Sequence, residues 1–545
     1  MLHTNVQQMG WKAASKIGVV AAGAAEAVAA GIGVLDQGGN AADAAVATIL
    51  ALNVTDHGAC SIGGEVPVLL FDAQKQEVKA LCGQGRAPLS HAAIDWYMKN
   101  GIPAKDMKMA PVPSVVDLCV TMLQRYGTMA LHQVAAPALA LLDAGGEPWH
   151  PRLAVTLRKL LEEEQITSGN REEKLQAATD RFYGRNRFRN DIADDLEAFY
   201  IEKGGFLRKA DLAAHMTLVE DPVTVNYRGY TVCKCGPWTQ GPYLCQALRL
   251  LEGFDLKAMG HLSADYVHVV AESIKLAMAD RDAYYGDPAF VDVPLVALLS
   301  DAYTEIRRPL IDLQKASAEA RPGDPYNMKP RLDAPATFRP GIGGTTTCVV
   351  ADRWGNVVAA TPSANVFREE ANGGPTGVTY GNRLRSLNTT PGHPNCIAPG
   401  KRPRITLTPT LVLKNSRPVL AISVAGGDLQ DQTTLNLLLD FIEFGMQPEI
   451  AVTASRFVTA HHQNSFDPNP DRPQTFIEPG SLTLSDDIDQ DIQDELAKRG
   501  HQIQTKATAI ATPVMLYIDQ DRETFYVAGD PKAHRHAEGL GAATR

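Results

Sequence analysis

Past residue 340 the sequence changes abruptly from a polar, Pro- and Gly-rich stretch to a β-branched run, Gly343-Gly344-Thr345-Thr346-Thr347-Cys348-Val349-Val350-Ala351-Asp352. Thr, Val and Cys favour extended backbone, and paired glycines let a chain turn sharply or approach another group closely. The run predicts a core strand over residues 345–351 that begins suddenly. Three adjacent threonines also offer hydroxyl nucleophiles. A chain cut before Thr345 would give that residue both a hydroxyl and a free α-amine. An α-amine titrates near neutrality and can accept the hydroxyl proton. Alone, however, such a run reads by default as a plain structural strand.

With 545 residues, 45% of them hydrophobic, the chain can bury a large core. Its 62 acidic and 52 basic residues give a formal charge of -10 without long like-charge blocks. That pattern excludes a nucleic-acid surface or a basic membrane arm and favours small-molecule work. Eight cysteines are too sparse for a disulfide scaffold and read as buried thiols. Cys233-Lys234-Cys235 lacks a second pair at zinc-ligand spacing, so no metal and no cofactor is expected. The Ala-, Gly- and Val-rich stretch from Ile17 to Leu35 has no basic start and is interrupted by Glu26, unlike a secretory signal. It reads as a strand over residues 19–22 followed by a helix. No span reaches the roughly 20 apolar residues of a membrane helix, and a cytoplasmic location is the default expectation.

Apolar spacing predicts helices over residues 115–126, 130–144, 151–163, 191–203, 243–251 and 264–283, the last entered through Ser263 as N-cap. Strands are expected at 223–235, 357–361, 410–413 and 419–424. Residues 301–344 lack periodicity and read as a surface linker. A cut between Gly344 and Thr345 would fall where that linker meets a core strand.

Several motifs then occur in one order: Gly38-Gly39-Asn40-Ala41-Ala42-Asp43-Ala44, Ser61-Ile62-Gly63-Gly64, Gly85-Arg86-Ala87-Pro88, residues 280–288, 345–356, Pro399-Gly400-Lys401-Arg402-Pro403, and Ala425-Gly426-Gly427. Together they make the chain resemble the γ-glutamyltranspeptidase family of N-terminal-nucleophile (Ntn) hydrolases. The resemblance implies an α+β fold, a four-layer αββα sandwich formed jointly by two subunits after autocatalytic cleavage. Residues 1–344 would be the large subunit and 345–545 the small one, the two remaining associated, with a higher oligomer open. It implies Thr345 as nucleophile, first attacking the Gly344 carbonyl and then a substrate amide. Thr347 would assist cleavage, and Ser363 would bond the Thr345 amine and hydroxyl. Gly426 and Gly427 would supply oxyanion N–H donors. Arg86 would grip a substrate carboxylate with its fork, and Asn365 would contact substrate. Each has a plainer alternative, since Ser363-Ala364-Asn365 and Gly426-Gly427 also suit turns and Arg86 a surface ion pair.

The departures from the family pattern concern specificity. Paired acids that bind a substrate ammonium are replaced within Asn382-Arg383-Leu384-Arg385-Ser386-Leu387-Asn388, with Ser386 at the key aspartate position. Ile405-Thr406 replaces an adjacent-serine motif. Ser386 and Thr406 are retained as candidate substrate contacts. Arg385 and Arg404 favour an anionic amide lacking an ammonium group, while Asp428 offers a replacement ammonium partner. The expected activity is cleavage of a γ-glutamyl or similar small carboxylate-bearing amide through a threonyl acyl-enzyme, with weak or no action on glutathione. Alternatives are an amidase resembling oxamate amidohydrolases or cephalosporin acylases, and an unprocessed, non-catalytic binding protein.

Overall fold

The computed structural model describes residues 9–103, 106–332, 344–364 and 373–541. The Thr/Val run lies in a seven-stranded antiparallel sheet. From edge to edge its strands are His536–Gly539, Gly18–Ala22, Cys348–Asp352, Val357–Ala360, Val66–Asp72, Glu77–Gly83 and Leu218–Glu220. A second seven-stranded antiparallel sheet contains Lys12–Ser15, Thr524–Gly529, Thr512–Asp519, Arg417–Ala425, Thr410–Lys414, Tyr230–Lys234 and Val223–Tyr227. A short third sheet joins Phe457–Val458, Ser481–Ser485 and Gln502–Lys506.

Strand alternation explains the layering. Successive side chains leave opposite faces of a strand. Val349 and Ala351 pack between the sheets with Val19, Ala21, Leu411, Ala421, Val514 and Leu516. Cys348 and Val350 face the other way, into a core shared with helices Ala25–Asp36, Ala41–Thr55 and Val115–Tyr126. The second sheet turns Val412, Leu420, Ile422 and Met515 toward helices Pro242–Leu251, Ala264–Tyr284 and Gln430–Ile442. The order is therefore helices, sheet, sheet, helices, as expected. Every residue of Cys348–Asp352 is buried, and each fully buried valine contributes about 1.5–3 kcal/mol. Val349→Asp would place an unpaired charge between the sheets, the change least tolerated here.

The Asn40 motif is structural. Asn40 caps helix Ala41–Thr55 by accepting from the Ala42 and Asp43 N–H groups, and Asp43 accepts in return from Asn40 N. Asp43 also binds Thr128 and Met129, anchoring a neighbouring loop.

Three expectations change. The strand begins at Cys348, so Thr345, Thr346 and Thr347 extend beyond the sheet. Residues 223–235 form a hairpin, Val223–Tyr227 with Tyr230–Lys234. The segment read as a linker carries helix Asp301–Arg307, and its Arg321 is buried on Glu272 at 2.6 Å. Short range and irregular periodicity hid that structure, because a buried arginine rather than an apolar stripe fixes it. Residues 333–343 lie outside the described residues.

All eight cysteines are free thiols, seven of them buried. Burial pushes the Cys233 thiol up to about 12, away from the thiolate a metal needs. Among the described residues no helix is long and apolar enough to cross a membrane.

Candidate active site

Thr345 and Ser363 face each other because strands Cys348–Asp352 and Val357–Ala360 pair antiparallel through a tight turn. Beyond the sheet the two arms stay together, with Thr346 N donating to Pro362 O at 2.9 Å. Thr345 Oγ1 lies 3.3 Å from Ser363 Oγ. Ser363 donates to the Gly344 carbonyl oxygen at 2.8 Å, and Arg383 Nη2 donates to Ser363 Oγ at 2.7 Å. Arg383 is itself held by Glu65, its Nε donating to Oε1 at 2.6 Å. Burial raises the Glu65 carboxyl above its ordinary value, and the Arg383 charge opposes that shift.

The Ser61-Ile62-Gly63-Gly64 motif permits this approach. Glu65 and Ser363 exchange backbone N–H···O bonds at 2.9 Å in each direction. A Cβ on Gly64 would stand 2.1 Å from the Ser363 carbonyl oxygen, so only glycine fits. On the other side, Thr346 Oγ1 donates to Asp56 Oδ2 at 2.5 Å, and Arg535 Nη1 stands 3.8 Å from the same oxygen.

The glycine pair ends strand Arg417–Ala425. That strand is tied to the first sheet next to Ser363, with Ser423 donating to Ala360 O and lying 3.0 Å from Thr361 Oγ1. Gly426 has φ 154° and Gly427 φ 61°, conformations that disfavour side chains. The Phe466 ring covers Gly427, since a Cβ there would meet its Cε2 at 3.1 Å. The same ring carries the Arg383 and Arg385 guanidiniums at 5.5 and 4.7 Å from its centroid. Phe466 thus joins the glycine loop to the Ser363 side.

Other expected residues fall as follows. Arg86 is half-buried, and its Nε has no hydrogen-bond partner among the described residues. Burial lowers its pKa and Arg402 adds to the effect. Ser386 and Thr406 are buried with hydroxyls that have no partner among the described residues. Asn382, four residues before Ser386, is buried with both amide atoms in the same condition. Asn365 lies outside the described residues. The Thr347 hydroxyl is buried and has no partner among the described residues, so no bond joins it to the Gly344–Thr345 peptide.

Two expected pocket charges are committed elsewhere. Arg404 is buried and donates to Ser465 Oγ at 2.8 Å; burial lowers its pKa to about 10. Asp428 accepts from Arg281 Nη1 at 2.6 Å and from Ser465. Burial alone would raise the Asp428 carboxyl, but Arg281, His462 and Arg404 hold it below the usual carboxylate range. Its charge is already balanced by that of Arg281. Arg385 lies against Phe466, its pKa lowered to about 10 by burial and then by Arg383.

Glu65, Arg383 and Phe466 escaped sequence reasoning. Glu65 had a signal, since a charge directly preceding the apolar Val66–Asp72 strand needs a buried partner. Phe466 had none.

A cleft of about 470 Å³ opens beside Asp56, His57 and Arg535, near Thr346. A larger one, about 680 Å³, lies at the Asp352 end of strand Cys348–Asp352, by Asp72, Trp354 and Asn356. There Asn356 and Asp72 are already bonded to Asp352, Ala73 and Gln74. The facing hydroxyls of Thr345 and Ser363 are at the opposite end.

The family model described as gamma-glutamyltranspeptidase matches residues 27–186 and 150–540. The glutathione hydrolase proenzyme of Escherichia coli (strain K12) is 30% identical, over 95% of this chain and 91% of that protein. The solved structure of LmbA2991HD has a TM-score of 0.85 at 32% identity, covering 97% of this chain and 99% of that one. The cephalosporin acylase from Bacillus halodurans gives a TM-score of 0.78 at 25% identity, covering 97% and 96%.

Proposed function

The chain belongs to the gamma-glutamyltranspeptidase family, and from that premise we propose that it matures by cutting itself between Gly344 and Thr345 into an amidohydrolase selective for small anionic amides without an ammonium group. After the cut the Thr345 α-amine takes the proton of its own hydroxyl, and Oγ1 attacks the substrate carbonyl. The N–H groups of Gly426 and Gly427 receive the developing oxyanion. The amine leaves with the transferred proton, and water opens the threonyl ester. An amine in place of water would complete an acyl transfer.

The observation carrying the selectivity is the charge pattern around Phe466. Arg385 lies on that ring and Ser386 follows it, while the nearby acids Glu65 and Asp428 are each committed to a buried arginine. A site built for an ammonium discriminates strongly against substrates that lack it, and the converse holds for a site walled by guanidiniums. Arg86 and Arg385 are assigned the substrate carboxylate. The likeness to a cephalosporin acylase favours this reading over a γ-glutamyl enzyme, and the likeness to a glutathione hydrolase makes the γ-glutamyl group the proper competitor.

Glutaryl and γ-glutamyl 4-nitroanilides differ in the α-ammonium and test it directly. The expected result is kcat/KM at least about tenfold higher for the glutaryl compound, the size of one charged contact. Preference for the γ-glutamyl compound would overturn the selectivity while leaving the self-cleaving chemistry intact.

A further inference from the structure

We propose that the buried Arg383–Glu65 pair is a positioning device that orients the Ser363 hydroxyl as the proton relay between Thr345 and the Gly344 carbonyl. The inference rests on Thr345 being the nucleophile and concerns residues to which neither the sequence nor the resemblance gave a role.

Proton accounting fixes the direction. A guanidinium only donates and a carbonyl oxygen only accepts. Ser363 Oγ receives Arg383 Nη2 at 2.7 Å and spends its single proton on Gly344 O at 2.8 Å. The remaining contact, 3.3 Å to Thr345 Oγ1, therefore has threonine as donor. The hydrogen bonds run from Thr345 to Ser363 to Gly344 O, which is the direction self-cleavage requires. As Thr345 Oγ1 bonds to the Gly344 carbonyl carbon, its proton passes to Ser363 and the Ser363 proton passes to the carbonyl oxygen. Collapse breaks the Gly344–Thr345 C–N bond and returns that proton through Ser363 to the departing nitrogen. An ester remains, which water opens to a carboxylate and a free hydroxyl.

Without Arg383 the Ser363 hydroxyl would have a free lone pair and alternative rotamers. The planar fork prevents this, because Nε is fixed on Glu65 while Nη2 reaches Ser363. Glu65 is in turn locked to the Ser363 backbone by the paired bonds of their bridge. The two side chains are 0% and 1% exposed. A buried ion pair gives little net stability for its desolvation, so orientation accounts for it better than stability does. After cleavage the Arg383 charge sits one hydroxyl away from the new amine and favours its neutral, basic form. Other charged groups around that amine are Glu65 behind Arg383, Arg385 across Phe466, and Asp56 and Arg535 on the Thr346 side, where the titratable ring of His57 also lies.

The test uses the full chain and its Arg383→Gln, Arg383→Lys and Glu65→Gln variants, with circular dichroism to establish folding. Arg383→Gln should slow first-order self-cleavage at least about tenfold and lower kcat on the preferred amide with KM within about twofold. The acidic limb of its kcat–pH profile should move to higher pH, because removing the cation raises the amine pKa. Arg383→Lys should restore the limb but only part of the rate, keeping charge and losing the fork. Glu65→Gln keeps the cation but frees the fork, so it should slow cleavage less than Arg383→Gln and should not move the limb to higher pH. Unchanged cleavage and an unmoved limb in a folded Arg383→Gln chain would overturn the proposal, as would a rise in KM alone, which would make Arg383 a substrate contact. A folded wild-type chain that never cuts would overturn the nucleophile assignment and this proposal with it.

Discussion

The Ser363 hydroxyl donates a 2.8 Å hydrogen bond to the carbonyl oxygen of Gly344, the residue preceding the proposed nucleophile. One side chain therefore touches both the proposed attacking group and the peptide it is proposed to break, since Thr345 Oγ1 lies 3.3 Å away. Replacing it with alanine removes both contacts. Ser363→Ala should slow self-cleavage and turnover by about 10²-fold or more, and Ser363→Thr should keep most of the rate. Time courses on denaturing gels measure the first, and amine release the second.

Gly427 allows a separate test of the oxyanion loop. At φ 61°, with Phe466 Cε2 3.1 Å from a Cβ, an alanine there is strained and must displace the ring. Gly427→Ala is expected to lower kcat about 10²-fold with little change in KM, the pattern of an interaction made in the transition state. A rise in KM alone would place Gly427 in substrate binding.

Asp428 is predicted to matter for the fold rather than for ammonium recognition. Its buried partner Arg281 is 0% exposed, so Asp428→Asn removes one of the two carboxylates paired with that guanidinium and leaves Asp282 at 2.8 Å. The expected loss is about 1.5–3 kcal/mol, that of one hydrogen bond to a charged group, read from the urea midpoint. An unchanged midpoint with altered substrate preference would reverse this assignment.

Buried histidines predict acid sensitivity. Burial holds His215 down to about 4 and His501 to about 2, against about 6.5 when unfolded. Both folded values are depressed, so the stability they confer is complete above about pH 6.5. It is lost as pH falls, at about 1.4 kcal/mol per unit for each until its folded value is reached. Melting temperature should fall steadily from pH 7 to 5. His501→Gln, which keeps a side-chain partner for His268 Nδ1, should flatten that slope; an unaltered slope would remove His501 from the account.

Much of the framework was legible because it follows local rules. Helix Val115–Tyr126 appeared over the expected residues from apolar spacing alone, and the Val349/Ala351 and Cys348/Val350 alternation made Cys348–Asp352 a strand. The layering was not available from periodicity and entered through the family resemblance. That Thr345–Thr347 lie outside the strand is decided by tertiary bonds, from Thr346 to Asp56 and to Pro362, which no propensity records. Arg385 and Arg404 look alike in sequence, yet one lies on Phe466 and the other donates to buried Ser465. Sequence proximity to a site does not say which way a side chain points. For the same reason Arg383, two residues from Arg385, went unassigned.

The central claim is that Thr345 is exposed as a new amino terminus by the chain itself. Intact mass and amino-terminal sequencing of the purified protein test it most directly. The account predicts fragments covering residues 1–344 and 345–545, the second beginning Thr-Thr-Thr-Cys, and an uncut chain for Thr345→Ala. A wild-type chain that stays whole while folded, or a cut at another bond, would contradict it.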